Sequence, residues 1–300
     1  MISVVINTLN EEKNLPKALA SVRQLADEIV VVDMKSDDKT QEIARRTGAK
    51  VYEHKRTGYV EPARNFAISK AKGEWILILD ADEEVSLSLS TSLRKIINNP
   101  EADYYRLPRK NIIFQKWIKH SRWWPDYNIR FFKKGKVSWS EIIHSVPETR
   151  GKGLDLEADE KNAIIHHHYV SITQYVQRLD RYTTEHAKIL FKDGYEFEWF
   201  DLIKKPTNEF LSRYFQGEGY KDGLHGLALA GLQAFSEMVM YLKLWEKQKF
   251  SSKGREEIRV DDVINAMKES EGDLHYWQAE TLLKEVGGIK NRIKRKLKLP

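Results

Sequence analysis

The chain reads as an α/β protein: a mostly parallel sheet flanked by helices, followed by a mainly helical C-terminal region. Three observations carry that reading. The runs Ile2–Ile6, Ile29–Val32 and Trp75–Leu79 are almost continuously apolar, as strands buried on both faces of a parallel sheet are. Segments with helical signals separate them. Beyond Ser171 strand signals cease and helical ones run to the end.

In order, Ile2–Ile6 is the first strand. A helix follows from Pro16, a good first helical position, with Leu15, Leu19, Val22 and Leu25 near helical spacing. Ile29–Val32 is the second strand and ends at Asp33. Thr40–Arg46 is helical and stops at Gly48, a C-terminal cap. Val51-Tyr52 is a short strand, and Pro62–Lys72 a helix closed by Gly73. Trp75–Leu79 is the third strong strand and ends at Asp80. Ligands of such sheets bind outside the carboxyl ends of the strands. Thr8, Asn10, Asp33, Asp80 and Asp82 are the polar residues expected there.

From about Asp103 the pattern becomes aromatic and basic, with Trp117, Trp123-Trp124-Pro125-Asp126-Tyr127 and Arg130-Phe131-Phe132. Val137–Val146 and Ala163–Val170 are expected as strands at a mixed edge of the sheet. Gln248–Arg255 is polar and reads as a linker. The expected organisation is a sheet domain over 1–170, a helical extension over 171–247 and a small basic helical tail over 248–300.

The 300 residues include no Cys, which excludes disulfides, thiolate nucleophiles and Cys-ligated metals and fits a reducing cytoplasm. No basic region or cleavage site accompanies the first apolar run, so no signal peptide is expected. Leu224–Trp245 contains His225, Gln233, Glu237 and Lys243, too polar for a comfortable membrane span. It suits packing on the sheet domain or a second subunit, in a homodimer, or lying on a membrane surface. The net charge is +6, and Lys290–Lys298 holds six Lys or Arg and no acid. That segment is either a solvated tail or drawn to an anionic membrane surface or lipid substrate. No nucleic-acid partner is expected, because no binding motif accompanies the basic run.

Asp80 and Asp82, followed by Glu83 and Glu84, repel one another and call for a cation. Oxygen ligands suit Mg²⁺ or Mn²⁺, which also bind a diphosphate. The bland alternative is an acidic turn with capping duties. Asp33 is placed to accept hydrogen bonds from a ribose hydroxyl or base N–H, while Asp38 or Thr40 caps the next helix. Arg64 opens a helix and either reaches a diphosphate or serves the surface.

Four stretches occur in order: Val4-Val5-Ile6-Asn7-Thr8-Leu9-Asn10-Glu11-Glu12, Ile29-Val30-Val31-Val32-Asp33, Pro62-Ala63-Arg64-Asn65-Phe66-Ala67 and Leu79-Asp80-Ala81-Asp82-Glu83. Together they resemble the family 2 glycosyltransferases with the Rossmann-like GT-A fold. Trp123 to Phe132 is similar to the branch holding lipopolysaccharide-core glucosyltransferases and a peptide S-glycosyltransferase. The resemblance weakens toward Trp245 and does not cover the last fifty residues.

The resemblance implies a nucleotide-sugar-binding catalytic domain over 1–170 and an inverting, metal-dependent transfer from a nucleotide-sugar, usually a UDP-sugar. The acceptor is then a glycan, lipid-linked glycan or protein in cell-envelope polysaccharide synthesis, reached in the cytoplasm or at the inner face of its membrane. Asp33 is expected to contact the uridine, and Asp80 the ribose or metal. Asp82 is expected to hold the divalent metal that bridges the phosphates, and Thr8, Asn10 and Glu11 to line the pocket. Inversion needs a base to deprotonate the incoming hydroxyl. Asp126, after an aromatic stretch suited to flanking a sugar, is the candidate; the alternative is that it pairs with Arg130. His144 is the candidate further metal or diphosphate ligand. The family often has His-Glu there and this chain has His144-Ser145, leaving Glu141 or Glu148 as substitutes. Of His166-His167-His168, strand alternation puts His166 and His168 on one face, and only His166 aligns with a residue associated with the family. Two alternatives stay open: a sugar nucleotidyltransferase, and a nucleotide- or glycan-binding module without catalysis.

Overall fold

The computed structural model describes residues 1–56, 60–140, 147–251 and 257–299. The chain forms two compact units that it visits alternately: Met1–Ile112 with Trp124–His168, and Ile113–Trp123 with Tyr169–Pro300.

The first unit opens with β1 (Ile2–Thr8), α1 (Leu15–Val22), β2 (Glu28–Asp33), α2 (Thr40–Arg46), β3 (Lys50–Glu53), α3 (Glu61–Lys70) and β4 (Trp75–Asp80). It continues through β5 (Glu83–Val85), α4 (Leu87–Asn98) and β6 (Tyr104–Ile113). After β7 (Lys116–Trp117) come β8 (Asp126–Lys133), β9 (Val137–Ser138), β10 (Glu148–Thr149), β11 (Gly153–Asp155) and β12 (Ile164–Tyr169). The main sheet runs β3-β2-β1-β4-β8-β6-β12-β5. β3, β2, β1 and β4 are parallel, whereas β8 lies antiparallel to both β4 and β6.

Alternation along the strands supplies two cores. Val4, Ile6, Leu77 and Leu79 pack on one face with Leu15, Leu19 and Val22 of α1 and Leu89 and Leu93 of α4. Val5, Val30, Val32, Ile76 and Ile78 pack on the other with Ala67 and Ile68 of α3. Burying each such side chain contributes about 1.5–3 kcal/mol, which holds the strands between two helical layers. Ser86 caps α4 by accepting the Leu89 N–H at 3.1 Å. The parallel register sets Thr8 beside Asp33 and Asn7 beside Asp80, so the polar strand ends converge.

The sheet flanked by helices is the architecture expected, with informative differences. β6 and β8 are long strands within the sheet, although no apolar run announces them. Arg109 to Asn111 interrupt one, and Asp126, Asn128 and Arg130 occupy alternate positions of the other. Of the strand expected over Val137–Val146, β9 covers Val137–Ser138 and pairs with β10 outside the main sheet. Residues 141–146 lie outside the described residues. The strand expected near Ala163–Val170 is β12.

The second unit contains α5 (Ile172–Lys192), α6 (Asp201–Leu211), α7 (Leu224–Lys247), α8 (Val260–Glu285) and α9 (Ile289–Leu297). Ile113, Ile118, Tyr169, Tyr175, Leu179 and Leu229 form one of its cores. By length and composition α7 could cross a membrane. Here it packs: Met240, Tyr241 and Leu244 share a core with Ala187 and Phe197. Lys243 donates to Asp180 at 2.7 Å, and Gln233 to the Tyr175 hydroxyl at 2.8 Å.

Candidate active site

At the ends of β1 and β2 the polar residues bind one another. Thr8 Oγ1 donates to Asp33 Oδ2 at 2.9 Å. The Asp33 carboxylate, fully buried, also accepts the Ser36 N–H and hydroxyl at 2.8 and 2.6 Å and Gln41 Nε2 at 2.8 Å. Asn10 accepts the Asp37 N–H at 2.8 Å, and it adopts the left-handed conformation, φ 58°, that Asn tolerates. Glu11 accepts from Asn14 and donates its N–H to Thr40 Oγ1, each at 2.8 Å.

Where β4 ends, three guanidiniums and three carboxylates alternate. Arg64 donates to Asp80 Oδ1 at 3.1 Å. Arg130 donates to Asp80 Oδ2 at 2.5 Å and to Glu83 Oε1 at 2.6 Å. Arg109 lies 3.6 Å from that Glu83 oxygen and donates twice to Asp126 Oδ2, at 2.9 and 2.6 Å. Glu83 also accepts the Asp80 N–H at 2.9 Å. Burial disfavours the charged forms, yet the charges of Arg130 and Arg64 outweigh it and hold the Asp80 carboxyl well below the usual carboxylate range. The Asp80 and Glu83 charges likewise overcome burial to hold Arg130 above its ordinary value. Thus the cation that Asp80 requires is supplied by arginine. Arg64 is an inward-facing residue of the site, and Asp126 pairs with Arg109, not with Arg130.

Asp82 takes a different partner: its Oδ1 lies 3.7 Å from Nε2 of the buried His166. A chain of donors sets the tautomer of that ring. Asn111 Nδ2 donates to Asp126 Oδ2 at 3.1 Å, which turns its carbonyl oxygen toward His166 Nδ1 at 2.7 Å. Nδ1 must therefore carry the proton, and in the neutral ring the Nε2 lone pair faces Asp82 and His168 Nδ1, 3.3 Å away. The alternation along β12 holds, for His167 points elsewhere and meets Glu84 at 2.7 Å.

Among the described residues no group of three or more His, Asp or Glu forms a ready-made metal cage. Asp82 and His166 nonetheless fit an ion that takes its remaining ligands from water and phosphate, as Mg²⁺ does. Bonds of about 2.1 Å let one ion touch both groups across their separation. A His whose other nitrogen donates to an amide oxygen is the usual supported ligand. His144 and Glu141 lie outside the described residues, and Glu148 is exposed on β10. In the sequence Glu83 reads only as part of the acidic turn and Arg130 only as a partner for Asp126, and no apolar run points to Arg109 or Asn111. Period-two spacing was their available signal: Arg109 and Asn111 alternate on β6, as Asp126, Asn128 and Arg130 do on β8.

Comparison with known proteins gives the family of the chain. Residues 3–151 match the model of glycosyl transferase family 2. An uncharacterized glycosyltransferase of Rickettsia typhi is 33% identical over 273 residues, covering 88% of this chain and 92% of the relative. The SPbeta prophage-derived glycosyltransferase SunS of Bacillus subtilis is 24% identical, covering 82% and 63%. Among solved structures, glucosyl-3-phosphoglycerate synthase of Mycobacterium tuberculosis, in complex with Mn²⁺, UDP and glucosyl-3-phosphoglycerate, is 23% identical. It aligns with a TM-score of 0.32, over 35% of this chain and 43% of that one. The chain belongs to glycosyltransferase family 2.

Proposed function

We propose that this glycosyltransferase is an inverting, metal-dependent enzyme that moves a sugar from a UDP-sugar to a glycan or lipid-linked acceptor in the cytoplasm. The observation that carries the reading is the approach of Asp82 Oδ1 to His166 Nε2, 3.7 Å apart, one residue along the same network from Asp126. Asp82 and His166 would hold Mn²⁺ or Mg²⁺, which when bound neutralises charge on the departing diphosphate.

The chain's own residues do the rest. Thr8, Asn10 and Glu11 line the nucleotide pocket. Asp33 shapes it, and a base or ribose contact by Asp33 replaces one of the four protein hydrogen bonds it accepts, with Gln41 the exchangeable donor. Arg64 binds the diphosphate by exchanging its partner Asp80 for phosphate oxygens. Asp126 accepts the proton of the attacking hydroxyl on Oδ1, since Oδ2 already takes Arg109 and Asn111 while Oδ1, among the described residues, takes the weaker Asn128 amide at 3.2 Å.

The test is a panel of UDP-, GDP- and dTDP-sugars, each with and without Mn²⁺. Slow hydrolysis or transfer of a UDP-sugar that requires metal and disappears in Asp82→Ala is expected. Asp126→Asn should retain donor binding and lose transfer by about 10²–10⁴-fold. Failure of every donor to bind, or full activity in Asp82→Ala, rejects the proposal. Unchanged turnover in Asp126→Asn removes that residue from the base role alone.

A further inference from the structure

The last helix, α9, is built inside out. On a soluble helix the apolar stripe faces the protein and the charged side faces water. In α9 the partly buried residues are Asn291, Lys294 and Arg295. The Arg295 guanidinium donates to Glu280 of α8 at 2.8 Å, and Lys298, just past the helix, donates to Asp273 of α8 at 2.7 Å. The apolar residues Ile289, Ile293 and Leu297 face outward and are 76%, 52% and 58% exposed. Their spacing of four aligns them in one stripe about 12 Å long, at 1.5 Å per residue. Lys290, Arg292 and Lys296 are exposed beside it.

Charge separates the two kinds of surface this stripe might meet. Six of the fifty basic residues and none of the forty-four acidic ones fall within 286–300, so the preceding 285 residues carry no net charge. The excess of the chain thus falls within this segment: Arg295 and Lys298 pair with α8, and Lys290, Arg292 and Lys296 remain beside the exposed apolar stripe. A partner must therefore offer apolar depth in the middle and negative charge on both flanks, without demanding a shaped pocket. The boundary between acyl chains and anionic headgroups meets that description. Ile and Leu enter the acyl region while Lys and Arg stems lie along it with their heads among the phosphates.

We propose that α9 is a membrane-surface anchor that seats the Ile289–Ile293–Leu297 stripe in a bilayer containing anionic lipid. A nine-residue helix with one stripe gives reversible binding, strengthened by the cations at about 1 kcal/mol each.

Co-sedimentation of the full chain with vesicles tests this, and because it reads partition it is independent of the donor chemistry proposed above. Vesicles of phosphatidylcholine with about 30% phosphatidylglycerol should bind the chain, and phosphatidylcholine alone should bind it at least tenfold less. About 1 M salt, where screening acts within about 3 Å, should release most of it. Lys290→Glu with Arg292→Glu and Lys296→Glu should lower the partition about a hundredfold. Ile289→Asp with Ile293→Asp and Leu297→Asp should lower it at least tenfold without changing the circular dichroism, since these side chains are exposed. Equal binding to neutral and anionic vesicles, binding to neither, or full binding by the aspartate variant overturns the proposal. So does a wild-type mass of two chains in light scattering that falls to one in the aspartate variant, because the stripe then joins two copies.

Discussion

Asn111 makes no contact that its sequence neighbours would suggest, yet its amide connects two groups of the proposed site. One end donates to the Asp126 carboxylate and the other receives the His166 proton. Removing it frees the His166 ring to adopt the other tautomer, which turns a proton toward Asp82. Asn111→Ala should therefore raise the Mn²⁺ concentration needed for half-maximal turnover by about 10–100-fold, the usual effect of losing a support behind a ligand. An unchanged metal requirement would rule out this role. Asp80 makes the complementary case, in which charge serves the fold. Its carboxyl lies below the ordinary value of 3.8 because Arg130 and Arg64 outweigh burial. A depressed folded value means that the stabilisation is fully present above the unfolded value and is lost as pH falls through the folded one. In urea unfolding, wild type should exceed Asp80→Asn in stability by a constant margin at neutral and mildly acidic pH. That margin should shrink only below pH 3.8. A margin that is already shrinking near neutrality would contradict the ion pairs.

Elements explain why these side chains meet. β4 contributes Leu77 and Leu79 to one core and Ile76 and Ile78 to the other, so it anchors both helical layers while carrying Asp80 at its end. Leu77→Ala should cost about 2–5 kcal/mol in urea unfolding, because the site is fully buried and two packed layers collapse poorly around a cavity. A loss under about 1 kcal/mol would mean that the layers are far less closely packed. β6 and β8 play the opposite part. Arg109 and Asn111 continue the face of β6 that Tyr105 and Leu107 bury, and Arg130 is itself buried on β8, so the sheet itself delivers the polar network. Such strands carry few apolar residues in succession, and that is why runs of hydrophobicity fail to reveal them.

At the scale of the molecule, the short stretch Ile113–Trp123 belongs with the helical unit although it lies between two strands of the sheet unit. Ile113 and Ile118 are fully buried there, in the core with Tyr175 and Leu229. A chain ended after His168 should therefore expose both, bind a hydrophobic dye and aggregate; a well-folded, soluble fragment would refute the division. The residues by themselves determined the parallel half of the sheet, the convergence of Thr8, Asp33, Asp80 and Asp82 at its carboxyl edge, and the family. Continuous apolar strands have only one stable arrangement, covered on both faces, and their polar ends then have one place to go. Tertiary structure alone decided the partners. Asp126 could pair with Arg130 on its own strand or with Arg109 on the next. Arg130 reaches Asp80 across 50 positions, and His166 meets Asn111 across 55. Such choices depend on which strands lie side by side and in what register, and alternation along one strand does not reveal its neighbour.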